Sequence, residues 1–183
     1  MKIYKLQAEL SNNYLVEKNG TVILIDCACE LEDLKSITNK IDAIVITHGH
    51  FDHFFSVQKV QQSYDCPVYM HKAAYEKLAN SELNASTLFS EKIALDLPLN
   101  HVKFVTEGKQ DVAGIETEIF FAPGHTNDSI LIAIENALFV GDFLFERGYG
   151  RTDLPTGSFT ELKQSMRKYL PKIKNYSLFY GHD

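Results

Sequence analysis

Residues Ile41 to Thr47 form a β-branched, apolar run of the length of a buried strand, and the run stops at His48-Gly49-His50-Phe51-Asp52-His53. Four side chains able to bind a metal thus fall within six residues, where a strand gives way to a turn that can aim them into one cleft. A surface loop that happens to hold three histidines is the plain alternative, since a single histidine is more often structural than ligating. Three histidines with a carboxylate after a strand favour metal. One such loop cannot saturate two tetrahedral ions, so further His or Asp residues are expected at other strand ends.

The chain offers three. His125, within Pro123-Gly124-His125-Thr126, follows a strand pattern over Glu116 to Phe121. Asp142, within Gly141-Asp142, follows Ala137 to Val140. His182, after Gly181, follows Tyr176 to Tyr180. Taken singly these are a loop histidine, a turn aspartate beside glycine and a frayed terminal histidine. Together they recur at one topological position.

The remaining pattern is layered α/β. Lys2 to Leu6, Asn13 to Glu17 and Thr21 to Asp26 read as strands, the last two joined by the hairpin dipeptide Asn19-Gly20. Leu31, Leu34 and Ile37 recur at helical spacing before Asn39, and Phe54, Val57 and Val60 predict a helix beyond Asp52. Pro67 to Met70 predicts a strand and Lys72 to Leu78 a helix. Asn80 to Leu99 lacks clear periodicity and reads as a loop over the site. Strands are expected at Val102 to Thr106 and Ser129 to Ile134, with Gly108 and Glu135-Asn136 as punctuation. Ser158 and Glu161 have capping-box spacing, so a last helix should run to about Tyr169 and end at Pro171.

At 183 residues, 45% hydrophobic and 23% charged, the chain suits one domain over residues 1–183 with an ordinary soluble core. A net charge of −6 spread along the chain argues against nucleic acid as a partner. Cys27, Cys29 and Cys66 are odd in number and lack disulfide spacing, which points to a reducing, cytoplasmic compartment. Two cysteines with no second pair make an incomplete zinc site, and Cys66 before Pro67 looks like a buried small side chain. No signal peptide or apolar stretch of bilayer length is present, so no membrane association is expected. The sequence is silent on oligomeric state.

The set Thr47-His48-Gly49-His50-Phe51-Asp52-His53, Pro123-Gly124-His125-Thr126, Gly141-Asp142 and Gly181-His182 resembles the metallo-β-lactamase superfamily, with Asp26 after Ile23-Leu24-Ile25 matching its first motif aspartate. The resemblance runs from about Asn13 to the C-terminus. It implies an α+β fold, a four-layer αβ/βα sandwich with metals at one edge of the sheets. It implies that His48, His50 and His125 hold one ion and Asp52, His53 and His182 the other, with Asp142 bridging. Two divalent ions are expected, zinc first, although iron and manganese accept similar donors. Such a pair can generate hydroxide at neutral pH for attack on a carbonyl, with Asp52 also orienting the attacking water as a catalytic residue. Asp26 would instead support a neighbouring ligand.

Within the superfamily, Gly150-Arg151-Thr152-Asp153-Leu154 resembles the short glyoxalase II-like hydrolases, which implies a small-molecule thioester substrate such as hydroxyacylglutathione. Arg151 and Asp153 read equally as a surface ion pair or as substrate contacts. Full-length relatives of that type carry a C-terminal helical domain that binds glutathione, and with this chain ending at Asp183 a more permissive pocket is expected. The alternative is a mononuclear iron persulfide dioxygenase, which uses a similar motif set. A β-lactam hydrolase is disfavoured by Asp142 and by the missing signal peptide, a flavodiiron protein by His50, and a binding module by the filled ligand positions.

Overall fold

Strands that carry apolar side chains at successive positions need cover on both faces, and the central strands here are of that kind. The computed structural model describes residues 1–183, the side chain of Gln7 apart. A six-stranded sheet runs in chain order through β1 (Lys2–Gln7), β2 (Asn12–Lys18), β3 (Thr21–Ile25), β4 (Ala43–Val45), β5 (Val68–Met70) and β6 (Val102–Phe104). Its first three strands are antiparallel and β3 to β6 are parallel. A second sheet comprises β7 (Gly108–Val112), β8 (Ile115–Phe121), β9 (Ile130–Ile134), β10 (Ala137–Gly141) and β11 (Ser177–Tyr180) in the spatial order 11-10-9-8-7, antiparallel except for the β10–β11 pair.

Alternation along each strand sorts side chains into three cores. Ile23 and Ile25 of β3 and Val45 of β4 face the second sheet, where they meet Ile119, Ile130, Ile132 and Phe139. Leu24 and Ile44 point the other way, under α1 (Leu31–Ile37), α2 (Phe51–Phe54), α3 (Val57–Tyr64) and α4 (Lys72–Leu78). Leu131, Ala133 and Leu138 on the outer face of the second sheet are covered by Leu162, Tyr169 and Ile173 of α5 (Phe159–Ile173). The layers are therefore helix, sheet, sheet, helix, the expected α+β four-layer sandwich. Each large apolar side chain fully buried this way contributes about 1.5–3 kcal/mol, which is why both faces must be covered. Among the described residues no helix is long and apolar enough to cross a membrane.

The Asn19-Gly20 turn forms, with both residues at positive φ (52° and 80°), the conformation that matches strand twist in a two-residue hairpin. Four expectations need correction. Gly108 opens strand β7 rather than punctuating: its Lys109 and Asp111 face solvent on a sheet edge, so only Val112 carries an apolar signal. The strand expected over Ile41 to Thr47 is regular only at Ala43–Val45. The helix beyond Asp52 is two pieces, α2 and α3, interrupted at Ser56. Finally α5 continues through Pro171 to Ile173. Proline in the last turn forfeits one hydrogen bond, and burial of Tyr169 and Ile173 against the second sheet holds the turn in place.

The stretch Asn80 to Leu99, expected as a loop, contains a 3-10 turn at Ser86–Phe89 and is organised around buried Asn84. The Asn84 amide donates to the carbonyls of Lys77 (3.1 Å) and Ile93 (2.9 Å), and its oxygen accepts from the Ser86 N–H at 3.0 Å.

Candidate metal centre

Parallel pairing brings strand ends together, and the chemistry sits at those ends. Because β3 and β4 are parallel neighbours, Asp26 emerges beside Thr47; because β10 and β11 are parallel, Asp142 emerges beside His182. The Ile130 N–H bonds the Thr47 carbonyl (2.9 Å) and the Asn12 N–H bonds the Gly181 carbonyl (2.7 Å), which sew the two sheets together at this end. His50 caps α2, so Asp52 and His53 fall in that helix's first turn. Gly124, at φ +145°, delivers His125 from the end of β8.

All seven residues read from the sequence as donors meet here. His48 Nε2 and His125 Nε2 lie 3.2 and 2.9 Å from His50 Nδ1. His53 Nε2 lies 3.3 Å from His182 Nε2 and 3.8 Å from Asp52 Oδ2, and His182 Nε2 lies 3.3 Å from Asp52 Oδ2. Asp142 stands between these groups, with Oδ1 3.3 Å from His53 Nε2 and Oδ2 3.5 and 3.4 Å from the Nε2 atoms of His125 and His182. Donor atoms fall within 4.8 Å of one another in three overlapping trios: His48-His50-His125, His48-His53-Asp142 and Asp52-His53-His182.

Contacts on the far side of the rings set which lone pairs face inward. Asp26 Oδ2 is 2.8 Å from His53 Nδ1, and the Arg151 carbonyl is 2.7 Å from His125 Nδ1. Both partners are acceptors, so Nδ1 carries a proton and Nε2 is the nitrogen turned to the cluster, free to offer its lone pair to a cation that displaces any proton there. His50 Nε2 and Asp142 Oδ1 are buried without a hydrogen-bond partner, the 3.3 Å approach of His53 to Asp142 lacking suitable geometry. Burial, then neighbouring imidazoles, holds His48 far below its usual value and His50 down to about 3; burial likewise lowers His125. These rings stay neutral, as ligands must. Burial opposes charge on His53 as well, but the surrounding carboxylates Asp26, Asp142 and Asp52 outweigh it and push that ring up. Inward-facing ring nitrogens, an unpartnered buried oxygen of Asp142 and an excess of carboxylate are what divalent cations would satisfy, so the residues fit a metal pair.

Asp26 is itself specialised. Buried and at φ +57°, it accepts from the Thr47 N–H (2.8 Å) and hydroxyl (2.9 Å) besides facing His53. Arg151 and Asp153 form an exposed ion pair with two contacts of 2.7 Å. It is the backbone of Arg151 that touches the cluster, and a backbone carbonyl leaves no trace in residue identity. The three cysteines are free and buried within the helix-side core, and burial raises all three thiols.

A cavity of about 480 Å³ opens onto the donors. Its wall is largely apolar, built from Leu10, Phe51, Phe89, Phe145, Tyr149 and Leu154. Ala85 and Phe89 come from the stretch expected to form a loop over the site.

Comparison with known proteins agrees with this geometry. The family model described as the metallo-beta-lactamase superfamily matches residues 6–182. A probable metallo-hydrolase of Methanocaldococcus jannaschii is 34% identical over 94% of this chain and 87% of its own length. Among solved structures, the B3 metallo-beta-lactamase BLEG-1 superposes with a TM-score of 0.91 at 28% identity, covering 100% of this chain and 92% of that one. TTHA1623, solved in a di-iron-bound form, superposes with a TM-score of 0.85 at 28% identity and the same coverage.

Proposed function

Because the chain belongs to the metallo-beta-lactamase superfamily, we propose that it is a dinuclear metal-dependent hydrolase of small-molecule acyl thioesters. In this reading His48, His50 and His125 hold one divalent ion, Asp52, His53 and His182 the other, and Asp142 lies between. The observation that carries it is the convergence of seven donors from four strand ends, with the inward-facing ring nitrogens of His53 and His125 set by Asp26 and the Arg151 carbonyl.

When bound, two such ions supply Lewis acidity and bring the pKa of water from 15.7 down to roughly 7, which removes any need for a serine or cysteine nucleophile. The protein's own part is positional. Asp52 Oδ2, at the mouth of the cluster, accepts a hydrogen bond from the attacking water and orients it. The apolar wall of Leu10, Phe51 and Phe89 takes the acyl group and excludes bulk water. A thiolate leaves without a strong general acid, which suits a site whose buried imidazoles are committed to the cluster. Hydroxyacylglutathione is the first substrate to test. Zinc is the first metal, and the di-iron form of TTHA1623 makes iron the second. Three free thiols suit a reducing cytoplasm.

The test begins with a metal count on protein purified without added metal, followed by a thioester panel with nitrocefin alongside. About two ions per chain with thioester turnover supports the reading. One iron with oxygen uptake on glutathione persulfide would replace it by a persulfide dioxygenase, and turnover of nitrocefin alone by a β-lactam hydrolase.

A further inference from the structure

Lys77 of α4 and Asp128 of the β8–β9 connection form an ion pair with side chains only 2% and 0% exposed, and the chemistry above uses neither. Desolvating two opposite charges is expensive, and their attraction repays it only where the remaining donors and acceptors are also satisfied. Each charge has a second partner here: Asp128 Oδ2 accepts the backbone N–H of Gly49 at 2.6 Å, and Lys77 Nζ donates to Thr156 Oγ1 at 2.7 Å. The Lys77 carbonyl accepts from Asn84, whose own carbonyl accepts the Phe51 N–H at 3.1 Å.

The partners of this pair are what give it meaning. Gly49 is the residue between the donors His48 and His50. Thr156 belongs to the loop whose Arg151 carbonyl orients His125, and it sits at φ +66°, a conformation non-glycine residues keep only where surroundings enforce it. A Cβ on Gly49 would lie 2.7 Å from Lys77 Cδ and 3.1 Å from Asp128 Oδ2, so the pair packs directly on that backbone.

We propose that Lys77 and Asp128 are positioning residues: through the Gly49 N–H they hold the His48–His50 backbone in its ligating conformation before any ion arrives, and through Thr156 they tie it to the loop bearing Arg151 and Leu154. An ion pair kept for stability alone is the competing explanation, and it is weak, since apolar residues of similar volume commonly replace buried pairs without loss. The metal part of the proposal rests on the dinuclear reading above; the backbone part does not.

The experiment compares two uncharged double variants, Lys77→Met with Asp128→Asn and Lys77→Met with Asp128→Leu. The first keeps an acceptor for Gly49 and the second has none. In metal-free protein, amide exchange at Gly49 should stay near wild type in the first and quicken about tenfold or more in the second, the change for a lost hydrogen bond to a buried acceptor. Zinc affinity by chelator competition, read below the melting temperature, should follow the same order. Equal Gly49 protection and zinc affinity in both variants overturns the proposal, as does equal loss in both. Should neither variant fold, the wild type still decides: a Gly49 amide unprotected in metal-free protein refutes the positioning role. A wild type that takes up no metal yet protects Gly49 sinks the dinuclear reading and leaves the backbone role standing.

Discussion

Replacing Asp26 by Asn exchanges one oxygen for an NH2 group and leaves volume and backbone in place, since Asn tolerates φ +57° about as well as Asp does. The remaining oxygen can serve the Thr47 N–H, now 2.8 Å from Oδ1. The new NH2 then faces the Thr47 hydroxyl and His53 Nδ1, at 2.9 and 2.8 Å from the present Oδ2. A donor there forces His53 to carry its proton on Nε2, which turns the lone pair away from Asp52, Asp142 and His182. Loss of such a ligand-orienting carboxylate costs about 10- to 100-fold in metal affinity, or about 1.4–2.8 kcal/mol. Folding stability should fall by about 1.5–3 kcal/mol as bonds to a charged acceptor are lost. Chelator competition and a metal count at a temperature where both proteins are folded measure the first, and urea unfolding of metal-free protein the second. If Asp26→Asn retains two ions at wild-type affinity, the tautomer of His53 does not depend on Asp26 and the reasoning fails.

Gly124→Ala should be far more damaging to the fold, because φ is +145° and the new Cβ would collide with the backbone of Leu162 in α5; strain plus overpacking predicts a loss of about 2–6 kcal/mol in urea unfolding. The thiols of Cys29 and Cys66 are pushed up to about 12 and about 11 by burial, and Cys27 well above its usual value, so folded protein at pH 8 should not react with a thiol reagent while denatured protein titrates three groups. Ions that bind only the folded state stabilise it by about 2.7 kcal/mol at 100 times their dissociation constant, so a chelator should lower the melting temperature of metal-loaded protein, and zinc should restore it. Phe89→Ala, at an exposed cavity position, should raise KM for a long-chain acyl thioester and leave an acetyl thioester unaffected; equal effects on both would remove Phe89 from the acyl wall.

Much of this molecule was legible before folding because its donors are side chains with distinctive chemistry placed at strand ends. His48 to His53, His125, Asp142 and His182 could be found by type and position, whereas the covering of both faces at Ile23, Leu24 and Ile25 was expected only through the family resemblance and is seen in the two cores those side chains enter. Strand β7 was hidden because an edge strand with Lys109 and Asp111 outward has almost no apolar signature. The length of α5 was hidden because Pro171 marks a local preference that burial of Ile173 overrides. Asn84, in a stretch with no period, organises its loop through three hydrogen bonds to backbone, and no pattern of residue types encodes those.

The same distinction separates what ligates from what positions. A ligand must be His, Asp or a similar donor, so composition betrays it. The groups that aim those ligands are under no such restriction: a carbonyl at Arg151, an N–H at Gly49, a hydroxyl at Thr47. Lys77 and Asp128 stand 51 residues apart and belong to no shared motif, yet both contact the backbone or side chain of loops that carry ligands or their supports. Seven donors alone would crowd lone pairs and carboxylates together with nothing to keep their aim. Asp26, Arg151 and the buried pair hold lone pairs inward and the turn fixed, and the preorganisation of the site therefore resides in residues that no donor count would select.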